Sequence, residues 1–346
     1  MLKSRDNIRS ILYGKVGYVI SSRCIVLASV FALISSLSMV SPRLYAVPLR
    51  EGENNEPLRV VSYNVENLFY PERDSVNSDS VFTPEGERRW SYTRYYRKVE
   101  NIARVLTVIG EWDGVDIIGL QEVESRECVE RICKRLRGDY GFVHYDSPDK
   151  RGIDVAMVYK KTRLDTIRSE RLKVKGEREG EQLITRDILY VSGIVDKRDT
   201  IHFFVCHLPS QLGGKAESEW KRQCAKAVLQ QAVDSILAVE ETAKIVVMGD
   251  MNSAPKEDLQ GLRNKMKIER IKDIGTHKYK GRWTCLDQFY LSEGLDSISE
   301  MKIFDAEWIQ ETDEKYLGLR PKRTYNGFRY QEGFSDHLPI VLNINL

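Results

Sequence analysis

Eight polar residues stand at the ends of apolar runs: Asn64 after "VVSY", Glu122 after "IIGLQ", His207 after "FFVC", Asp250 and Asn252 after "IVVMG", Asp287 inside "TCLDQFYL", and the pair Asp336–His337 before "LPIVLNI". One carboxylate after an apolar strand is commonplace as a turn residue. Eight such positions in one chain point instead to strand ends that converge. The cluster they would form contains acids, amides and imidazoles and no thiol. Hard oxygen ligands of this kind suit Mg²⁺, with Mn²⁺ or Ca²⁺ as alternatives.

Elements that could position such a cluster are legible in the hydrophobic pattern. "LRVVSYNVENLF", "GVDIIGLQEVES", "IDVAMVYKK", "DILYVSGIVD", "TIHFFVCHLPS", "AKIVVMGDMNSAP" and "WTCLDQFYLS" read as strands, most of them running into polar loops. In "RRWSYTRYYRKVENIARVLTVIG", Tyr95, Val99, Ile102, Val105, Leu106 and Ile109 recur at helical steps. "RECVERICKRLRG" reads as a helix stopped by Gly138, and "EWKRQCAKAVLQQAVDSILAVEE" as a long one. Helices alternate with strands, yet three strands between 153 and 208 follow one another directly, as antiparallel neighbours do. The mixture predicts an α/β sandwich with mixed sheets.

The N-terminus is different. Lys3, Arg5, Arg9, Lys15 and Arg23 precede an apolar run at 25–40, and "LYA" ends at Ala46. Residues 1–46 are therefore expected to be a secretory signal, with an uncleaved membrane anchor as the alternative. Residues 47–57 read as a polar linker and 58–346 as one catalytic domain. Without the six Lys/Arg and one Asp of the first segment, 47 basic and 50 acidic residues remain, a net charge near −3. A global field that gathers polyanions is excluded, so any such binding must come from local patches. The basic stretches at 160–178 and 263–282 are expected to be solvated faces. Five cysteines remain after the signal, an odd number with no CxxC pair, which argues against a zinc site and leaves at least one thiol free.

The motifs "YNVEN", "LQEVE", "TRDIL", "CHLPS", "GDMNSAP", "LDQFYLS" and "SDHLPI", in this order, resemble the endonuclease/exonuclease/phosphatase superfamily, which includes deoxyribonuclease I, apurinic endonucleases, inositol polyphosphate 5-phosphatases and bacterial sphingomyelinases. The resemblance spans about residues 58–346. It implies a four-layer sandwich, two packed mixed β-sheets flanked by helices, with the site at one end of the sheets. It also implies roles. Glu122 is the metal-binding glutamate, with Asn64 and Asp336 as helpers. Asp250 orients or deprotonates the attacking water, and Asn252 holds a phosphate oxygen or that water. His337 stabilises the phosphate and Asp287 orients it. His207 places the chain nearer the deoxyribonuclease I, sphingomyelinase and 5-phosphatase branches. By the same logic Asp154 in "GIDVAMVY" is the expected carboxylate partner of His207, and Arg186 a phosphate-binding or site-shaping residue. His144, His202 and His277 match no motif and are expected to be surface or packing residues.

The substrate is read from "RPKRTYNGFRYQEGFSDH", where Arg320, Lys322, Arg323 and Arg329 alternate with Tyr325, Phe328 and Tyr330. Basic residues among aromatics suit phosphates and stacked bases. Arg323, Tyr325 and Arg329 are accordingly expected to bind substrate. The expectation is an exported, monomeric, divalent-metal-dependent phosphodiesterase that cleaves DNA or RNA. A phosphoesterase for a small-molecule, inositol-phosphate or lipid-headgroup substrate is the alternative. A catalytically silent binding module is the third reading; silent relatives tend to lose the acid or imidazole of "GDMN" or "SDH", and both motifs are intact here.

Overall fold

The computed structural model describes residues 56–72, 80–211, 213–255, 259–266 and 274–346. The expected signal and most of the linker lie outside the described residues.

Two six-stranded mixed sheets form the centre. The first uses β1 (Leu58–Leu68), β2 (Ile117–Val123), β3 (Tyr140–His144) and β4 (Asp154–Lys160). The second uses β5 (Leu164–Leu172), β6 (Ile188–Val195), β7 (Asp199–His207), β8 (Lys244–Asp250), β9 (Arg263–Asn264) and β10 (Asp287–Leu291). The chain then returns to the first sheet with β11 (Ser299–Ile303) and β12 (Ile340–Ile344). The strand orders are β11-β12-β1-β2-β4-β3 and β9-β10-β8-β7-β6-β5. β1 and β2 are parallel, as are β7 and β8; the other neighbours are antiparallel.

Three apolar layers hold the sheets. Between them lie Val60, Met157, Phe203, Val205, Val246, Met248, Phe289 and Leu342. Helices α1 (Tyr92–Gly110) and α2 (Arg126–Cys133) cover the outer face of the first sheet, with Tyr95, Val99, Ile102, Val129 and Ile132 facing Ile118 and Leu120. Helix α3 (Lys215–Leu237) covers the second sheet through Ala225, Leu229 and Val233. The expected four-layer sandwich is the observed fold. The difference is at α2, which ends at Cys133 and not at Gly138. Arg135 N bonds Ile132 O and Leu136 N bonds Cys133 O, so the last turn tightens into three-residue steps before the glycine is reached.

Candidate active site

Alternation along the strands delivers the site. Side chains two residues apart share a face. Val60 and, two steps further, Asn64 point into the inter-sheet layer, as do Val205 and His207, Met248 and Asp250, and Phe289 and Asp287. Register does the rest: Asp250 pairs laterally with His207 on one side and with Asp287 on the other. The inter-sheet layer is apolar along its length and polar at this one end.

Glu122 breaks the alternation. Leu120 faces the helices, and simple parity would send Glu122 the same way. Instead Glu122 has φ 65°, and the β2–β4 register slips between Gln121 and Val123. This bulge re-aims the carboxylate. Its Oε1 lies 3.5 Å from Asn64 Nδ2, and its Oε2 accepts from Asn67 N at 2.8 Å.

Asp250 is the hub. It is buried; Oδ1 accepts from Asn252 N at 2.8 Å and Oδ2 from Asn64 Nδ2 at 3.1 Å. His207 Nε2 stands 3.6 Å and His337 Nε2 3.9 Å from the same Oδ2. Burial raises the Asp250 carboxyl, the His337 cation opposes the rise, and Asp287 adds to it. The two imidazoles are polarised in opposite directions. Burial would lower His337, but Asp287 Oδ2 at 2.7 Å from Nδ1 holds it well above its usual value. His207 is pushed well below by burial, then by the Arg186 and Arg151 charges. His337 is pushed toward the cationic form and His207 toward the neutral one.

The motif "SDH" is anchored as its composition suggests. Ser335 Oγ donates to Asn64 O at 2.6 Å and accepts from His337 N at 3.1 Å. Asp336 is held by Arg323 Nη2 at 2.9 Å. Burial resists its ionisation, but the charges of His337 and Arg323 outweigh that and hold its carboxyl low.

Among the other expected residues, the pairing of Asp154 and the role of Tyr325 are corrected. Asp154 is not the partner of His207. Its Oδ1 accepts from Ser147 N at 3.0 Å and from Ser147 Oγ, and its Oδ2 lies 3.5 Å from His144 Nε2. Among the described residues His207 Nδ1 has no hydrogen bond, and the carboxylates facing its Nε2 are Asp250 and Glu122, the latter at 3.9 Å. Arg186 shapes the site and is not free for phosphate: Nε and Nη2 donate to the carbonyls of His207 and Leu208 at 3.0 and 3.1 Å, and Nη1 bonds Asp149 at 2.7 Å. Asn252 commits one amide proton to Leu208 O at 2.9 Å. Tyr325 is not a stacking platform. It is buried among Phe82, Trp90 and Tyr330, and its hydroxyl donates to Arg88 O at 3.0 Å. Arg320 is spent on Glu311 at 2.8 Å. Arg329 and Phe328 do lie exposed on the hairpin at 325–330. All five cysteines among the described residues are free thiols.

Sequence reasoning missed three residues. His277 bridges to His337 through the backbone, with ring centroids 4.9 Å apart; burial, then the His337 charge, lowers it to about 4. Lys98 lies fully buried on the apolar face of α1, bonded to Thr324 Oγ1 and Phe334 O, with Nζ 3.9 Å from Glu66. Glu66 accepts from Thr324 N at 2.6 Å; burial and then Asp336 raise its carboxyl. A lysine on an otherwise apolar helical stripe was the available signal for that pair.

These residues fit a divalent cation. Glu66, Glu122 and Asp336 present only oxygen, all three act on the Lys98 charge, and burial first, then Asp336, disfavours ionisation of Glu66. His277, Asp336 and His337 also bring ligand atoms within 4.8 Å of one another.

The Endonuclease/Exonuclease/phosphatase family matches residues 59–346. Among solved structures, truncated TDP2 from Caenorhabditis elegans is similar at 15% identity and TM-score 0.54, over 84% of this chain and 97% of that one. A Bacteroides thetaiotaomicron protein of the endonuclease/exonuclease/phosphatase family aligns at 14% identity and TM-score 0.53, over 83% and 97%. The mannosyl-6-phosphatase of Bacteroides thetaiotaomicron aligns at 14% and 0.52, over 82% and 98%. At such identities the likeness is one of fold. No curated protein matches. The family match over most of the chain, on the fold and polar cluster described above, makes this chain a member of the endonuclease/exonuclease/phosphatase family, whose members are divalent-metal-dependent hydrolases of phosphoric ester bonds.

Proposed function

We propose that the protein is a Mg²⁺-dependent phosphodiesterase whose scissile phosphate meets Asp250, His207 and His337. The carrying observation is the buried Asp250 carboxylate set between two imidazoles, one of which, His337, is backed by Asp287 at 2.7 Å. Asp250, raised by burial, is a stronger base than an ordinary carboxylate and takes the proton of the attacking water. Protonated His337, backed by Asp287, donates to a phosphoryl oxygen as charge builds there. Glu122, Asp336 and Glu66 would hold the cation, which when bound neutralises phosphoryl oxygens and the leaving alkoxide. Asn64 bonds both the metal-side Glu122 and the base Asp250, and so ties the two halves together.

The geometry favours a compact phosphoester over a long nucleic-acid track. Arg320 and Arg323 are engaged by Glu311 and Asp336, and Tyr325 is packed inside. The nuclease reading is supported by exposed Phe328 and Arg329 beside the site. Purified protein should hydrolyse bis-p-nitrophenyl phosphate with Mg²⁺ and stop with chelator; no turnover with Mg²⁺ or Mn²⁺ overturns the proposal. Plasmid DNA, RNA, sphingomyelin and sugar phosphates run in parallel separate the substrate classes. Steep loss of nucleic-acid binding with salt supports the nuclease reading, because contacts to outlying phosphates release counterions. The proposal includes export through the N-terminal segment, tested by whether the mass of the secreted protein shows a cut after Ala46.

A further inference from the structure

A cavity of about 300 Å³ opens beside Asp336, lined among others by Glu66, Arg88, Arg323, Tyr325 and Gly327. Its acids are matched: Asp336 by Arg323 at 2.9 Å and Glu66 by Lys98 at 3.9 Å. Arg88 is the cation left over. Among the described residues no carboxylate lies within ion-pair distance of it.

Arg88 is also held rigidly. Its N donates to Val81 O at 3.2 Å, and its O accepts from Tyr325 Oη at 3.0 Å and from Arg94 Nη1 at 2.6 Å. The guanidinium carbon lies 4.9 Å from the Phe82 ring centroid, 4.7 Å from Tyr325 and 5.6 Å from Phe328. Nη1 donates to Gly327 O at 2.8 Å, while Nε is buried and makes no hydrogen bond among the described residues. A planar guanidinium stacked on rings, with donor capacity left over and, among the described residues, no counter-charge, is placed to receive an anion. Of the anions a phosphoesterase meets beside its scissile group, a second phosphate of the same substrate is the one that geometry presents.

We infer that this cavity binds a second phosphate of the substrate through Arg88, so that the preferred substrate carries two phosphates close together. The inference rests on the phosphodiesterase reading above. Two sources share this chemistry: adjacent phosphates of a nucleotide chain, and a small bisphosphate.

The test compares thymidine 5′-(p-nitrophenyl phosphate) with its 3′-phosphorylated form, and glucose 6-(p-nitrophenyl phosphate) with its 1-phosphorylated form, at saturating Mg²⁺. The second phosphate should raise kcat/KM by about tenfold, mainly through KM, and Arg88→Gln should cut that advantage below about threefold. An advantage in the nucleotide pair alone assigns the nucleotide source, and one in the sugar pair alone assigns the small bisphosphate. Arg88→Lys keeps the stem and charge but loses the fork. It should lose at least half of the advantage, and it decides the matter if the glutamine variant fails to fold. Turnover of the simple diester with no preference in the wild type overturns the inference and leaves the phosphodiesterase reading standing. If no ester is turned over, calorimetric binding of inorganic pyrophosphate decides: weaker binding by Arg88→Gln supports the cavity's role, and equal binding overturns it.

Discussion

Asp250 concentrates the chemistry at the level of single residues. Asp250→Asn keeps an oxygen to accept from Asn252 N, so the fold should hold while kcat falls about 10²–10⁴-fold. Its carboxyl is raised to about 7, so activity should climb with pH through that region as the base loses its proton. His337 must keep its proton, so activity should fall on the alkaline side, above the usual imidazole range. The two limbs report the coupled cluster and not either group alone. Asp287→Asn removes the charge that holds His337 up, so the alkaline limb should move to lower pH; a limb that stays in place would exclude His337 as the acidic group. Glu122→Gln removes one charged oxygen while keeping shape. Calorimetry should then show Mg²⁺ binding weakened by about tenfold or more, and unchanged affinity would remove Glu122 from the metal site.

At the scale of elements, two backbone irregularities aim the site. One is the bulge at Glu122. The other is Gly249 in "GDMN", with φ 142°. A Cβ there would stand 1.9 Å from Cys206 O on the neighbouring strand, so the residue before the base has to be glycine. Gly249→Ala should cost about 2 kcal/mol or more, read from the urea midpoint. Gly180→Ala is the control: φ is 81° but nothing lies within 4 Å, so backbone strain of about 1 kcal/mol is expected. Equal losses at both sites would mean that the close approach of β7 and β8 is not what Gly249 serves.

For the whole molecule, one end of a sandwich is loaded with buried charge, and stability must follow pH. Glu66 and Asp250 are raised to about 7, so their contribution is present below their unfolded values and is lost as pH rises toward 7. His207 and His277, both lowered, act in the opposite sense, gaining stability as pH rises to 6.5. Asp336, lowered to about 2, matters only below its unfolded 3.8. Above about pH 6.5 the histidine gains are complete, and raised His337 loses its contribution as it deprotonates. Metal-free protein should therefore lose Tm from pH 6.5 to 8. Lys98, lowered to about 8, turns the trend only above that value. A cation binds the charged carboxylates, so the Tm increment produced by Mg²⁺ should grow between pH 5 and 8. An increment independent of pH would show that Glu66 is not part of the cation's surroundings.

Asn64, Glu122, His207, Asp250, Asp287 and the Asp336–His337 pair were legible in the sequence because each marks the point where a strand's apolar alternation stops. That pattern is local, and burial of one face enforces it. The order of helices and strands was legible for the same reason. Pairing between distant side chains was not. Asp154 bonds Ser147 and His207 faces Asp250, because lateral register between strands, and not motif order, chooses neighbours. His277 became part of the site only through its backbone bridge to His337, and Lys98 only because α1 lies over the segments carrying Thr324 and Phe334. Tyr325 looked like a stacking ring and proved to be core, since the direction of a side chain on a short hairpin is set by what packs against it. Local alternation determined which residues lie at the end of the sheets; tertiary packing decided which of them touch and which side chains line the cavity beside Asp336.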